Sequence, residues 1–287
     1  MIEQIEAGNL PEESVWVDYI NSLRSKVVPA DINILDEAFC DAVRKRIAKE
    51  KVGVLFSGGV DSTLIAFLLK KFKANVTCFS VGLKGSPDLS VAKRAADILK
   101  LKLVFKEFSE DEALDVFRQT AAVYKDPSTL DIGVGGVVFA GISLGLKHGI
   151  KVFFTGLGSE EIFAGYQRHE LSDNIQEECW KGLISMYKRD FLRDVPVAKH
   201  FNIKLKLPFL DEKVILAAMG IPADEKIINN LKKMPIRRVA LRHGLPEEFA
   251  LRKKKAAQYG SGFDKLLVRL AKKSKLSKAD FIKRFRD

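Results

Sequence analysis

Cysteine is scarce in this chain. Cys40, Cys78 and Cys179 are the only three in 287 residues, too far apart for a CxxC zinc or redox pair and odd in number for a disulfide framework. All three are expected to be reduced and packed, Cys40 within the helical-looking stretch AFCDAVRKRIAKE. The four histidines, His148, His169, His200 and His243, show no metal-ligand spacing. Long apolar runs are also missing. No window approaches eighteen uncharged apolar residues, and MIEQIEAGNLPEES has no basic region followed by an apolar one. Neither a membrane span nor a signal peptide is expected, and the cytoplasm is the expected location. Repeats and low-complexity linkers are absent as well, while a hydrophobic content of 47% is ample for a core.

The net charge of +11 is unevenly spread. From Leu251 onward there are 13 Lys plus Arg against 3 Asp, a local excess of +10 in a segment containing RKKK, AKKSKLSK and FIKRFRD. A solvated basic helical tail explains most of such a run; nucleic acid is a lesser expectation as partner, and part of the segment can face a phosphate.

The first half alternates. Val52–Phe56, Val76–Val81, Leu103–Glu107 and Lys151–Thr155 read as short buried strands. Between them lie helical patterns: Leu64, Ile65, Leu68 and Leu69 on one face; DLSVAKRAADILK with Val91, Ala95, Ile98 and Leu99 inward; a capping box of Ser109 and Glu112; and a small-residue helix between Gly133 and His148. Such βα units imply an α/β fold, a parallel sheet sandwiched by helices, with ligands beyond the carboxyl ends of the strands. After Tyr166 strand signals fade and prolines break up helical segments. The expected organisation is an N-terminal helical extension over residues 1–50, an α/β core over 51–168, and a helical part with a basic tail over 169–287.

The apolar run VGVLFSGGVDSTLIAFL breaks at Ser57-Gly58-Gly59-Val60-Asp61-Ser62 and restarts as a helix. Glycines there allow positive φ and let main-chain N–H groups converge on an anion at the helix start, which Asp61 or Ser62 is placed to cap. The turn lacks the Walker lysine and is not GxGxxG; its hydroxyls and amides suit a pyrophosphate, and Asp61 suits a magnesium ion on it. A plain glycine turn joining strand to helix is the alternative. In TGLGSEEIFAGY, Ser159 would cap a helix start and Glu160 and Glu161 would complement its dipole.

SGGVDS resembles the signature of the N-type ATP pyrophosphatases, the PP-loop superfamily, which split ATP between the α and β phosphates. With TGLGSEEIFAGY, LPFLD at Leu207–Asp211 and FSVGLKGSPDL at Phe79–Leu89, the chain resembles the synthetase domain of the asparagine synthetase family from about Val52 to Gly262. The resemblance implies an ATP-dependent, AMP-forming ligase that adenylates a carboxylate for attack by ammonia or another amine. ATP and Mg2+ are its implied cofactors. By the same resemblance Leu55, Ser80, Val81 and Gly156 would line adenine and ribose, and Ser57, Gly58, Gly59, Asp61 and Ser62 would surround the phosphates. Asp61 and Glu160 would hold the metal, Glu160 standing where the family has Asp. Lys254 or Lys255, in RKKKAAQYGSG, would balance phosphate charge.

Two departures bear on the acceptor. The family's glutamine-using members carry an N-terminal glutaminase domain with an exposed cysteine; here Ile2 follows Met1 and about fifty residues precede the loop, so ammonia, a separate glutaminase subunit or another amine is expected to serve. Where asparagine-forming enzymes have SGEG, this chain has Thr155-Gly156-Leu157-Gly158, and Leu157 does no acid–base work. In this the chain is similar to the asparagine synthetase domain-containing proteins. Glu161 is the first candidate to take over proton transfer. A tRNA-modifying PP-loop ATPase and a non-catalytic nucleotide-binding protein are the alternative readings.

Overall fold

The computed structural model describes residues 1–253 and 260–285. Five strands, β1 (Val52–Leu55), β2 (Val76–Leu83), β3 (Leu103–Phe108), β4 (Val152–Phe154) and β5 (Lys204–Lys206), form one sheet in the order β3-β2-β1-β4-β5. Every pairing is parallel, with Gly53 between Thr77 and Phe153. Val52, Gly53 and Val54 of β1 and the six central residues of β2 are buried on both faces, so the central strands are covered by helices from either side. The chain leaves β1 toward β2 and β3, then returns to place β4 on the other side of β1. The β1–β4 boundary is therefore a switch point, and the two turns that leave these strands diverge to open a crevice between them.

The helix Val60–Lys71 follows β1 and buries Leu64, Ile65, Leu68 and Leu69 completely. Truncating any of these leucines to Ala should cost about 2–5 kcal/mol through lost transfer energy and a cavity. The capping box expected at Ser109 and Glu112 forms, starting the helix Glu110–Ala121. The helix Pro87–Ile98 turns differently from its apolar pattern: Leu89, Ala92, Ala95 and Ala96 are buried, whereas Ile98 is 44% exposed. Small alanines allow this helix close to the sheet, and the side chain of Val91 is spent against the turn after β1, as described below.

Among the described residues beyond 168, the strands are the hairpin of Ile227–Ile228 with Leu231–Lys232 and β5, a three-residue strand that the sequence pattern does not reveal; the other elements are helical. β5 joins the sheet to the C-terminal part. The N-terminal helices are likewise built into the core: Trp16 is fully buried with its indole N–H donating to Leu183 O at 3.0 Å, and Glu6 accepts from Arg46 Nε at 2.5 Å, Lys206 Nζ at 2.9 Å and Leu207 N at 2.9 Å. LPFLD serves this frame. Asp211 caps the helix Glu212–Gly220 through Lys213 N at 3.2 Å and accepts from buried Arg46 at 2.8 Å. Among the described residues no helix is long and apolar enough to cross a membrane.

Candidate active site

The turn after β1 is shaped by its glycines and hydroxyls. Gly58 has φ +69°, and a Cβ there would lie 2.9 Å from Val91 Cγ1 and 3.0 Å from Ala92 N, so only glycine fits against the next helix. Ser57 N donates to Ser62 Oγ at 3.3 Å, and Gly59 N donates to Ser57 Oγ at 3.3 Å. Gly59 is the N-cap of the helix Val60–Lys71, and no side chain caps it. The expected cap at Asp61 or Ser62 does not form, because Ser62 Oγ donates to Gly59 O at 3.3 Å and Asp61 points toward the turn after β4. First-turn amides of a twelve-residue helix thus stay without side-chain caps at the positive end of its dipole, the arrangement that receives an anion.

The turn after β4 meets it. Gly158, at φ +94°, lets the chain pass Leu210, whose Cδ2 would stand 2.4 Å from an added Cβ. Ser159 does not cap the short helix Ser159–Ile162; Gly158 holds that position, and Ser159 Oγ donates instead to Asp61 Oδ1 at 2.6 Å. The other Asp61 oxygen accepts from Lys233 Nζ at 2.6 Å, and the same ammonium pairs with Glu160. Lys233 is buried, in the left-handed region at φ 63°, a conformation that costs about 1–2 kcal/mol for a residue with a Cβ. Arg237 holds the chain around it, donating to Lys232 O at 2.6 Å and Ala250 O at 2.5 Å. Burial alone would lower the Lys233 pKa, but attraction to Asp61 and Glu160 outweighs it and raises the pKa, so the ammonium stays charged.

A cavity of about 360 Å³ opens over this triad, the size of a small-molecule site. Leu55, Phe79, Val134, Val137 and Val138 give its lining an apolar part. Leu157, Glu161, Tyr166, Arg189, Asp190, Arg193 and Asp194 give it a largely polar part. Val134 comes from a π-helical turn at Asp131–Gly135, and Arg189 and Asp190 from a second at Tyr187–Phe191; the extra residue in each turn re-aims its neighbours. Arg189 pairs with Glu161 and with Asp190 Oδ2 at 2.6 Å, while its guanidinium lies 5.1 Å from the Tyr166 ring centre. Arg193 bridges Asp190 at 3.1 Å and Asp194 at 2.6 Å. Burial, and then the Asp190 charge, push the Glu161 pKa up to about 7 against the opposing pull of Arg189. Burial alone would lower the Arg189 pKa, but the charges of Glu161 and Asp190 outweigh it and raise it. Leu157 is half-buried and donates its main-chain N–H to Thr155 Oγ1 at 3.2 Å.

The structure gathers Leu55, Ser57, Gly59, Asp61, Ser62, Ser80, Val81, Gly156, Glu160 and Glu161 around this one cavity. Gly58 shapes the turn from behind, against Val91. Lys254 and Lys255 lie outside the described residues; their neighbours Arg252, Lys253 and Ser261 line the cavity. Sequence reasoning missed Lys233, Arg189, Asp190, Arg193 and Asp194. For Lys233 the one local hint is its place just before Met234-Pro235 at a helix start; for the others it is charge at i, i+1, i+4 and i+5 in YKRDFLRDV, which looks like a solvated helix face.

The model of the family Asparagine synthase matches residues 35–179 and 167–284, nearly the whole described chain. The chain belongs to the asparagine synthase family. A protein of Methanocaldococcus jannaschii provisionally named as a glutamine-hydrolysing asparagine synthetase is 33% identical over 298 residues, covering 90% of this chain and 55% of that protein. Escherichia coli asparagine synthetase B, glutamine-hydrolysing, is 29% identical over 268 residues, covering 86% of this chain and 48% of that protein. The chain thus spans about half the length of these family members. Among solved structures, the NH3-dependent NAD synthetase of Campylobacter jejuni is similar at 15% identity and a TM-score of 0.43, covering 88% of this chain and 92% of that one. In this chain the family's domain is built on a parallel sheet flanked by helices.

Proposed function

We propose that the chain is an AMP-forming ligase that adenylates a carboxylate in this cavity and passes the acyl group to ammonia or another amine supplied from outside these 287 residues. The observation that carries this reading is the convergence of Asp61 and Glu160, from the turns after β1 and β4, on the single ammonium of Lys233 beside an uncapped helix start. ATP phosphates would take the amides of residues 57–62 and the charge of Lys233. Two carboxylates on one cation, with the Asp61 side chain 18% exposed toward the cavity, also fit a hard divalent ion with oxygen ligands. Magnesium, when bound there, would neutralise charge on the departing pyrophosphate.

The carboxylate oxygen attacks the α phosphorus of ATP, pyrophosphate leaves, and an acyl-adenylate forms. An amine then attacks the acyl carbon, AMP departs with its oxygen, and the amine must lose a proton. Leu157 takes no proton. Glu161, in the same cavity with its pKa near neutrality, is the base this reading assigns. The polar part of the lining holds Glu161, Asp190 and Asp194 against Arg189 and Arg193, and both arginines are already paired. A free α-amino dicarboxylate such as aspartate finds no unengaged cation among these residues, so asparagine is not the product assigned; burying an unpaired carboxylate would cost several kcal/mol.

ATP–pyrophosphate exchange over a panel of carboxylates tests the reading. Exchange should depend on the acid and on magnesium, and Asp61→Asn should lower it by about 10²-fold or more without loss of the folded circular-dichroism spectrum. Correctly folded protein that exchanges with no acid in the panel would favour a non-catalytic nucleotide-binding protein. Aspartate with ammonia should yield AMP only at background, and robust asparagine formation would refute the acceptor assignment.

A further inference from the structure

Away from the cavity, three side chains of different chemistry converge on one point. Asp36 and Cys40 lie one turn apart on the helix Ile32–Arg44, and His243 follows the helix Met234–Arg242, more than two hundred residues later. Their donor atoms all lie within 4.8 Å of one another, the one such group of three among the described residues. His243 Nε2 is 2.6 Å from Asp36 Oδ1, and Cys40 Sγ is 3.4 Å from each of those atoms. We propose that Asp36, Cys40 and His243 form a zinc site with an open fourth position.

Zinc binds sulfur, nitrogen and oxygen at about 2.3, 2.0 and 2.0 Å, so a tetrahedral set has sulfur edges of about 3.5 Å and a nitrogen–oxygen edge of about 3.3 Å. Both sulfur edges are already within a tenth of an ångström or so of that geometry. The nitrogen–oxygen edge is closed by a hydrogen bond and must open by about 0.7 Å, a small rotation of a carboxylate that is 22% exposed. Binding releases the thiol proton to solvent, and the imidazole proton moves to Nδ1 so that Nε2 offers its lone pair. Lys71 Nζ now stands 3.1 Å from Nδ1 and must withdraw; its side chain is exposed and can do so. Thiolate and carboxylate together cancel the charge of the dication. Arg44, the other cation near Cys40, is engaged by Asp41 at 2.6 Å and by the Phe72 ring.

The position gives the site a structural consequence. The helix Val60–Lys71 starts at the phosphate turn and ends at Lys71; the helix Met234–Arg242 starts next to Lys233 and ends at His243. Each is a rod of about 14–18 Å with one end at the cavity and the other at the cluster. A metal joining His243 to the helix Ile32–Arg44 would fix the far end of the rod that positions Lys233.

Cobalt(II) as a spectroscopic substitute decides the question. Titration of metal-free protein should give one equivalent of Co2+ per chain, with a thiolate-to-cobalt charge-transfer band in the near ultraviolet and tetrahedral d–d bands in the visible, both lost when Zn2+ is added. Cys78 and Cys179 are fully buried, so in folded protein the thiolate band reports Cys40. Cys40→Ser should abolish the band, and His243→Ala should weaken Co2+ binding at least tenfold, while His148→Ala and His200→Ala leave both unchanged. Saturating Co2+ that produces no thiolate band in the unmodified protein would overturn the proposal, whatever the folding of the variants. So would a band that survives Cys40→Ser.

Discussion

Two parts of the cavity are made by different means. In the part assigned to the phosphates, a six-residue stretch supplies the turn, and its chemistry is mostly main chain: amides, two serine hydroxyls bonded to each other's neighbourhood, and a glycine pressed against Val91. In the polar part assigned to the acceptor, almost everything is side chain, and it comes from two separated segments, residues 157–166 and 189–194. Main-chain sites tolerate drift in the residues around them, because every residue offers an N–H. Side-chain sites change their substrate with each substitution. The family resemblance is accordingly strong in the first part and departs from the asparagine-forming pattern in the second, at Leu157. Lys233 ties the turn after β1 to the turn after β4 through Asp61 and Glu160.

Removing that tie should have the largest effect. Lys233→Met takes the shared ammonium from buried Glu160 and partly exposed Asp61, and breaking a buried pair in this way costs about 3–5 kcal/mol. Urea denaturation should show the loss, with Asp61→Asn restoring part of it in the double variant by removing one of the two like charges. A loss below about 1 kcal/mol would mean that the two turns are held together elsewhere.

The acceptor part can be probed by pH. Glu161 has a folded pKa of about 7, raised above its usual value of 4.5 by burial and by Asp190. The folded state therefore binds more protons than the unfolded state between those values. Stability is greatest below the unfolded pKa and falls as pH rises through the window, by up to about 1.4 kcal/mol per unit and on the order of 3 kcal/mol in all. Glu161→Gln should flatten that part of the profile relative to the unmodified protein. An unchanged slope would show that Arg189 keeps Glu161 ionised throughout. The same variant should remove the neutral-pH limb from the rate of amide formation.

In the phosphate turn the expected effect is smaller. Gly58→Ala places a Cβ at positive φ and 2.9 Å from Val91, which should cost about 1–2 kcal/mol of stability and weaken ATP binding. Adding Val91→Ala should recover only a minor part of the loss, since it removes the Cγ1 contact but leaves the positive-φ cost and the close approach to Ala92 N at 3.0 Å. Recovery of ATP affinity together with stability would show that the turn's conformation, rather than glycine itself, is what the phosphate needs.

Much of the fold was legible because its signals are local. Short apolar runs placed four of the five strands of the parallel sheet, period-3.6 patterns placed the helices between them, and SGGVDS announced its turn through residues that act on their own backbone. Local patterns failed where a neighbour decided the outcome. Ser159 would cap a helix if nothing else faced it, but Asp61 does; Ile98 belongs inside by hydrophobicity, but the alanines beside it let the helix sit closer on another face. β5 is three residues long, too short to show an alternation, and is a strand because β4 offers it a free edge.

By itself, the sequence determined the alternation of the first four strands with helices, the family and the glycine turn after β1, since each rests on contacts between residues close in the chain or on motifs read in a row. Tertiary structure alone decided that Lys233 meets Asp61 across 172 residues, that Arg189 and Glu161 share one wall, and that His243 reaches Cys40. The physical reason is common to all three. A charged or ligating side chain carries no periodicity that names its partner; the partner is set by which surfaces the hydrophobic core brings together, and only the folded chain contains that information.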